Sequence, residues 1–284
     1  MGGNGLFSVL VRRPGRAGIG GRVLDRILPR RPAAEWKKAL DVPYLEVTVF
    51  DPAGAKTWKR VERLADTLCG RMVLPEEMFE TGSDSIRRFD AKDRFLPVVV
   101  QNTVCLLLEE SGLPLYRRTV GLVDPRGIYQ SMAVRLLRHS TALRVMTGEP
   151  DRYRKFAEQM MENFGAPVML TTPESTMCDC VVAAAPDGLR AGLAAQIRCP
   201  VVSARDTEGG GSVLSHLKVA PPEELDGQIP EGIAPAEFLG ALYEIGGVQS
   251  LGALSASGGR IGGRSVSLRE FREMAGIGNG ISYQ

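Results

Sequence analysis

Thr119-Val120-Gly121-Leu122-Val123-Asp124-Pro125-Arg126-Gly127 is the stretch whose reading decides the fold. A short β-forming run enters an Asp-Pro-Arg-Gly turn, and Tyr129–Arg138 then carries apolar residues at helical spacing. The alternation repeats downstream. Ala142–Met146 predicts a second strand and Val168–Leu170 a third, separated by a helix over Asp151–Phe164. That helix places Tyr153, Phe156, Ala157, Met160, Met161 and Phe164 along one apolar side, and Gly165 is set to stop it in a left-handed conformation. Val181–Ala185 and Pro200–Ser203 supply a fourth and a fifth strand. Strands that alternate with helices pair in parallel through right-handed crossovers, so the expected class is α/β, a parallel sheet flanked by helices.

Upstream the signals are shorter. Leu6–Val11 reads as a strand, followed by glycine-rich Gly15–Gly21 and a short helix near Val23–Leu28. Tyr44–Phe50 reads as a strand closed by the turn Asp51-Pro52-Ala53-Gly54. Trp58, Val61, Ala65 and Leu68 recur at helical spacing up to Gly70, and Arg71–Leu74 follows as a strand. After a polar connection over 80–94, an apolar helix runs from Phe95 to Glu110 with Pro97 in its first turn. The expected division is a basic arm over 1–40, an additional N-terminal α/β region over 41–117, the regular α/β domain over 118–205, and a loop-rich region over 206–284. In that last region the helices Pro235–Ile245 and Ser267–Met274 pack back.

Composition bounds the function classes. The chain has 284 residues, 44% hydrophobic and 24% charged, with a formal charge of +2, so it has no general affinity for polyanions and no specific nucleic-acid signal. Between Arg12 and Lys38, seven arginines and two lysines face only Asp25 and Glu35, which reads as a solvated basic arm or an anion-facing patch. Five scattered cysteines and no recognisable signal peptide fit a reduced, cytoplasmic setting. No apolar run approaches the ~18 residues that suggest a transmembrane segment, and no repeat of ~20–50 residues is apparent.

In an open parallel sheet, ligands sit beyond the carboxyl ends of the strands. Here that edge offers Asp124-Pro125-Arg126-Gly127, Thr147-Gly148-Glu149, Thr171-Thr172 and Pro186-Asp187-Gly188. Val120-Gly121-Leu122-Val123, a turn and helix, then Arg144-Val145-Met146-Thr147 resembles the Rossmann NAD(P)-binding domain of the shikimate dehydrogenase and glutamyl-tRNA reductase type, over residues 118–205. The resemblance implies NADP as cofactor. It places Thr147, Arg152 and Arg154 at the 2′-phosphate, Asp124, Arg126 and Gly127 beside the pyrophosphate, and Pro186 on the segment passing the nicotinamide.

The glycine fingerprint is degenerate. Backbone N–H groups approach a pyrophosphate only where glycines allow it, yet this turn offers Gly127 alone, and Pro125 has no N–H. Asp124 sets a negative charge where phosphates would lie, and Arg126 offers a direct counter-charge. With no Asp-x-Asp pattern around it, Asp124 is expected to cap the following helix in an Asp-Pro turn.

The remaining motifs carry less. Gly15–Gly21 matches neither a dinucleotide nor a Walker loop, and Gly258–Arg264 reads as a mobile turn that could meet an anion. Cys178-Asp179-Cys180 lacks a second ligand pair, so no metal is expected. His139 suits a helix C-terminus, and His216 stands near Ser212 and Ser215 with no acid partner in sight. Two functions remain. The first is a non-catalytic or degenerate nucleotide-binding scaffold for assembly or small-ligand sensing. The second is an NADP-dependent oxidoreductase. The partners to expect are a small-molecule or nucleotide ligand and, as an option, further copies of the chain.

Overall fold

The computed structural model describes residues 6–14, 31–51, 55–68, 70–75, 86–171, 181–184, 197, 199–205 and 212–277. The chain divides into two compact units, Met1–Ala91 with Pro221–Gly252, and Lys92–Ala220 with Ala253–Gln284.

The first unit is built on strands β1 (Phe7–Arg13), β2 (Ala33–Ala39), β3 (Val42–Phe50) and β4 (Met72–Val73), in the order β2-β3-β1-β4. β3 and β4 run parallel to β1, and β2 runs antiparallel to β3. Leu10, Leu45, Val47 and Val49 pack against Val61, Trp58 and Leu64 of helix α1 (Ala55–Leu68). On the alternate positions Phe7 stacks on Tyr44 at 5.6 Å, and Tyr44 meets the edge of Phe238 at 5.3 Å. Phe238 belongs to the helix Pro235–Glu244, so sheet residues from the start of the chain share their core with a helix far along it.

This corrects the reading of residues 1–40 as a basic arm. Val9 and Leu10 are fully buried in β1, and Ala33–Ala39 forms a hairpin with β3. Its two-residue loop is Leu40-Asp41, both at positive φ (47° and 62°), the backbone of a primed hairpin turn. Asn-Gly or Asp-Gly usually announces that turn, and Leu-Asp does not. The glycine-rich Gly15–Gly21 lies outside the described residues.

The second unit begins with α2 (Phe95–Glu109), apolar on almost every side, which packs on strands of the second sheet. It therefore does not close an N-terminal region ending at 117. β5 (Thr119–Val123), α3 (Gln130–Leu137), β6 (Ala142–Met146), α4 (Pro150–Phe164) and β7 (Val168–Leu170) follow. β8 (Val181–Ala184), β9 (Val201–Ser203) and β10 (Val213–Lys218) continue the sheet, and α5 is the helix Pro235–Glu244 of the first unit. The hairpin β11 (Gly258–Ile261) and β12 (Arg264–Ser267), with α6 (Leu268–Met274), completes the chain.

The sheet has eight strands in the order β12-β11-β10-β9-β8-β5-β6-β7. β5 pairs parallel with β6 on one side (Val120↔Leu143) and with β8 on the other (Val120↔Val181). β7 adds to β6, β9 to β8 and β10 to β9, all parallel, while β11 and β12 are antiparallel. Numbered from β5, the parallel strands stand in the order 3-2-1-4-5-6, the doubly wound arrangement that reverses between β5 and β8.

Five strands were expected and eight are present. The glycines of 258–264, read as a mobile turn, form a hairpin whose loop is Gly262-Gly263, both at positive φ. Gly165 takes the left-handed cap at φ 63°. The apolar side of α4 is shorter than its sequence implies. Tyr153 and Phe156 are buried, whereas Met161 is 53% and Phe164 73% exposed.

Candidate functional site

The carboxyl edge of the parallel strands gathers two turns. The first follows β5 and consists of Asp124 to Tyr129, and the second follows β6 as Thr147, Gly148 and Glu149. They are tied directly, because the Gly148 N–H donates to the Pro125 carbonyl at 3.0 Å. A Cβ on Gly148 would stand 3.0 Å from that same carbonyl oxygen, close enough that the turn would have to give way to a larger residue. Gly127, at φ 64°, takes the left-handed position of its turn, and its N–H donates to the Asp124 carbonyl at 3.2 Å.

Asp124 is wholly buried. Its Oδ2 accepts from the Tyr129 N–H at 2.8 Å and from the Tyr153 hydroxyl at 2.8 Å. Tyr129 precedes the first residue of α3, so the carboxylate sits at the helix N-terminus as an Asp-Pro turn implies. Its Oδ1 is also buried, with no hydrogen-bond partner among the described residues. The Tyr153 hydroxyl is held protonated well beyond its ordinary range, first by burial, then by the charge of Asp124 and the hydrogen bond between them.

The other expected site residues surround this knot. Arg152 Nη1 reaches the Arg126 carbonyl at 3.4 Å, and the Gln130 amide donates to the Arg152 carbonyl at 3.0 Å. Thr147 Oγ1 accepts from the Glu149 N–H at 3.0 Å. Arg154 pairs with Asp151 at 2.8 Å on the exposed first turn of α4. The structure thus brings Asp124, Arg126, Gly127, Thr147 and Arg152 to one corner and leaves Arg154 in a surface pair. Pro186, with Thr172 and Asp187, lies outside the described residues, as do Cys178 and Cys180.

Two residues of the knot were missed from sequence. Tyr153 read as one member of an apolar stripe, although it is the only one there with a hydroxyl to satisfy. Gly148 read as part of a turn, and nothing local shows that another backbone presses on it. The histidines take other places. His139 Nδ1 lies 3.1 Å from Glu109 Oε1, and exposed His216 sits at φ 45° beside an irregularity in β10. Among the described residues no three acidic, cysteine or histidine side chains cluster as metal ligands would, and no helix is long and apolar enough to cross a membrane.

The ladder order decides the architecture. This is a Rossmann-type sheet. No protein-family model matches the chain, and no curated protein matches it. Among solved structures it is similar to L-tryptophan dehydrogenase from Nostoc punctiforme, with 14% identity over 84% of this chain and 72% of that one, at a TM-score of 0.31. It is also similar to shikimate dehydrogenase from Aquifex aeolicus, with 10% identity over 75% of this chain and 86% of that one, at a TM-score of 0.29. The Δ1-pyrroline-2-carboxylate reductase of Thermococcus litoralis, solved with NADH and L-proline, shares 18% identity over 39% of this chain and 37% of that one, at a TM-score of 0.26. These likenesses are distant, and the fold rests on the strand order.

Proposed function

We propose that the second unit is a degenerate Rossmann scaffold that does not carry out dinucleotide chemistry and is kept for assembly or small-ligand sensing. One observation carries this reading: Asp124 Oδ2 already occupies the anion position at the N-terminus of α3, held by the Tyr129 N–H and the Tyr153 hydroxyl at 2.8 Å each. A dinucleotide's pyrophosphate needs those N–H groups and the positive end of the helix. A buried carboxylate there supplies the negative charge internally and would repel a second one, and Gly127 spends its own N–H on the Asp124 carbonyl. Fold alone does not restore the function, because scaffolds of this kind host many activities and none.

Thermal unfolding with NADP, NAD and other nucleotides tests the reading. A ligand at ~100 times its dissociation constant stabilises its protein by about 2.7 kcal/mol. The expected result is no stabilisation by either dinucleotide, and a clear upward shift with NADP would overturn the proposal.

The second reading, an NADP-dependent oxidoreductase, has one observation in its favour: Thr147 and Arg152 stand together after β6, where a 2′-phosphate would be received. On that reading Arg152→Glu removes discrimination between NADP and NAD. Without binding to either, the question does not arise.

A further inference from the structure

The first unit holds a cavity of about 530 Å³ on the face of its sheet shared with α5, between β1, β2, β3 and the segment 227–231. Its size suits a small metabolite. Four charged residues on the facing positions line it, Arg13, Lys37, Glu46 and Glu231, while Lys38, the next residue of β2, alternates to the other face. Val11 and Tyr44 add an apolar wall and a phenol.

Register explains how the charges converge. Lys37 lies opposite Tyr44, and Glu46 is one step further along the same face of β3, so Lys37 Nζ reaches Glu46 Oε2 diagonally at 2.8 Å. Glu46 is only 5% exposed. Among the described residues no ion pair engages Arg13 or Glu231. One cation and one acid that no described residue pairs therefore line the same space as the Lys37–Glu46 pair. The Tyr44 hydroxyl stays a donor, because burial and then the charges of Glu46 and Glu35 push its pKa up to about 12.

We propose that this cavity binds a small zwitterion, an amino acid in the broad sense, with Arg13 receiving its carboxylate and Glu231 and Glu46 receiving its ammonium group. A simple anion would leave Glu231 repelling it, and a simple amine would face Arg13 and Lys37. Only a ligand carrying both charges pairs every group in the cavity. The site lies wholly within the first unit and does not depend on the state of the turn at Asp124.

The experiment titrates the full chain, with labelled valine methyl groups, against alanine, β-alanine and γ-aminobutyrate. Propionate and propylamine serve as single-charge controls. Val11 reports directly because it lines the cavity and is 3% exposed. The expected result is a saturable shift of Val11 by at least one zwitterion, bound about fivefold or more tightly than either control. Arg13→Gln and Glu231→Gln, both at exposed positions where folding is not at stake, should each weaken that binding about fivefold. Three results would each overturn the proposal: no Val11 shift with any probe at about 20 mM, propionate binding as well as the zwitterions, or an unchanged affinity in both variants.

Discussion

Tyr153, in the first turns of α4, donates its hydroxyl proton to Oδ2 of Asp124 at the end of β5 across 2.8 Å. Both side chains are fully buried, and the bond ties the helix after the second parallel strand to the turn after the first. It is the contact that keeps the carboxylate in place at the start of α3.

Removing the hydroxyl tests how much that contact carries. Tyr153→Phe leaves the ring packing against Phe156, 5.8 Å away, and takes only the donor. The buried carboxylate then keeps a single N–H, and the loss expected in urea unfolding is about 1–3 kcal/mol. Asp124→Asn alters the same knot, so the double variant should cost less than the sum of the two singles. Simple additivity would separate the two residues energetically and remove the argument.

The glycine of the same turn gives a second measurement. Gly127 sits at φ 64°, where an added Cβ would come within 3.0 Å of Arg152 Cδ and 3.2 Å of Glu149 Cβ. Gly165 has nearly the same φ, 63°, and nothing within 4 Å of its Cβ position. Gly165→Ala therefore isolates the backbone cost, about 1 kcal/mol, while Gly127→Ala adds crowding, for about 1–3 kcal/mol in all. Equal losses at the two positions would mean that the Arg152 side chain simply moves aside.

The regular half of the chain was legible because its physics is local. Alternating apolar runs, Gly165 after a long amphipathic helix and the Asp-Pro turn each announce themselves within a few residues, and β5 to β9 fall where the pattern puts them. What was not legible depends on distant partners. β10 and the β11–β12 hairpin lie among glycines, and only the neighbouring strand edge makes Gly258 and Gly259 part of a sheet: a Cβ there would meet the backbone of Val266 or Ser215. α2 looks the same from sequence whichever unit it covers. At the candidate site, Asp124 could be read as a cap from its turn. Tyr153, 29 residues away, could be joined to it only once α4 was packed on the sheet.

Alkaline titration follows from buried acids of unusual weakness, the Tyr153 hydroxyl and two more. Burial, opposed by Arg135 and reinforced by Glu109, raises the Cys105 thiol from an ordinary 9.0 to about 11. In the other unit, Tyr44 rises from 10.0 to about 12. Both groups are protonated in the folded and unfolded chain below pH 9, so their contribution to stability is complete there. Between pH 9 and 11 the unfolded chain releases the Cys105 proton while the folded chain keeps it, and Tyr44 behaves likewise between 10 and 12. The unfolded state then binds fewer protons, and the unfolding free energy falls as pH rises. The fall should reach about 3–5 kcal/mol by pH 11 in urea titrations at fixed ionic strength. Cys105→Ala lowers stability at every pH through the small cavity it leaves, but it should flatten the slope between pH 9 and 10, where Tyr44 has barely begun to contribute. A variant as steep as the parent in that interval would show that the thiol titrates at its ordinary value and that its burial does not hold in solution.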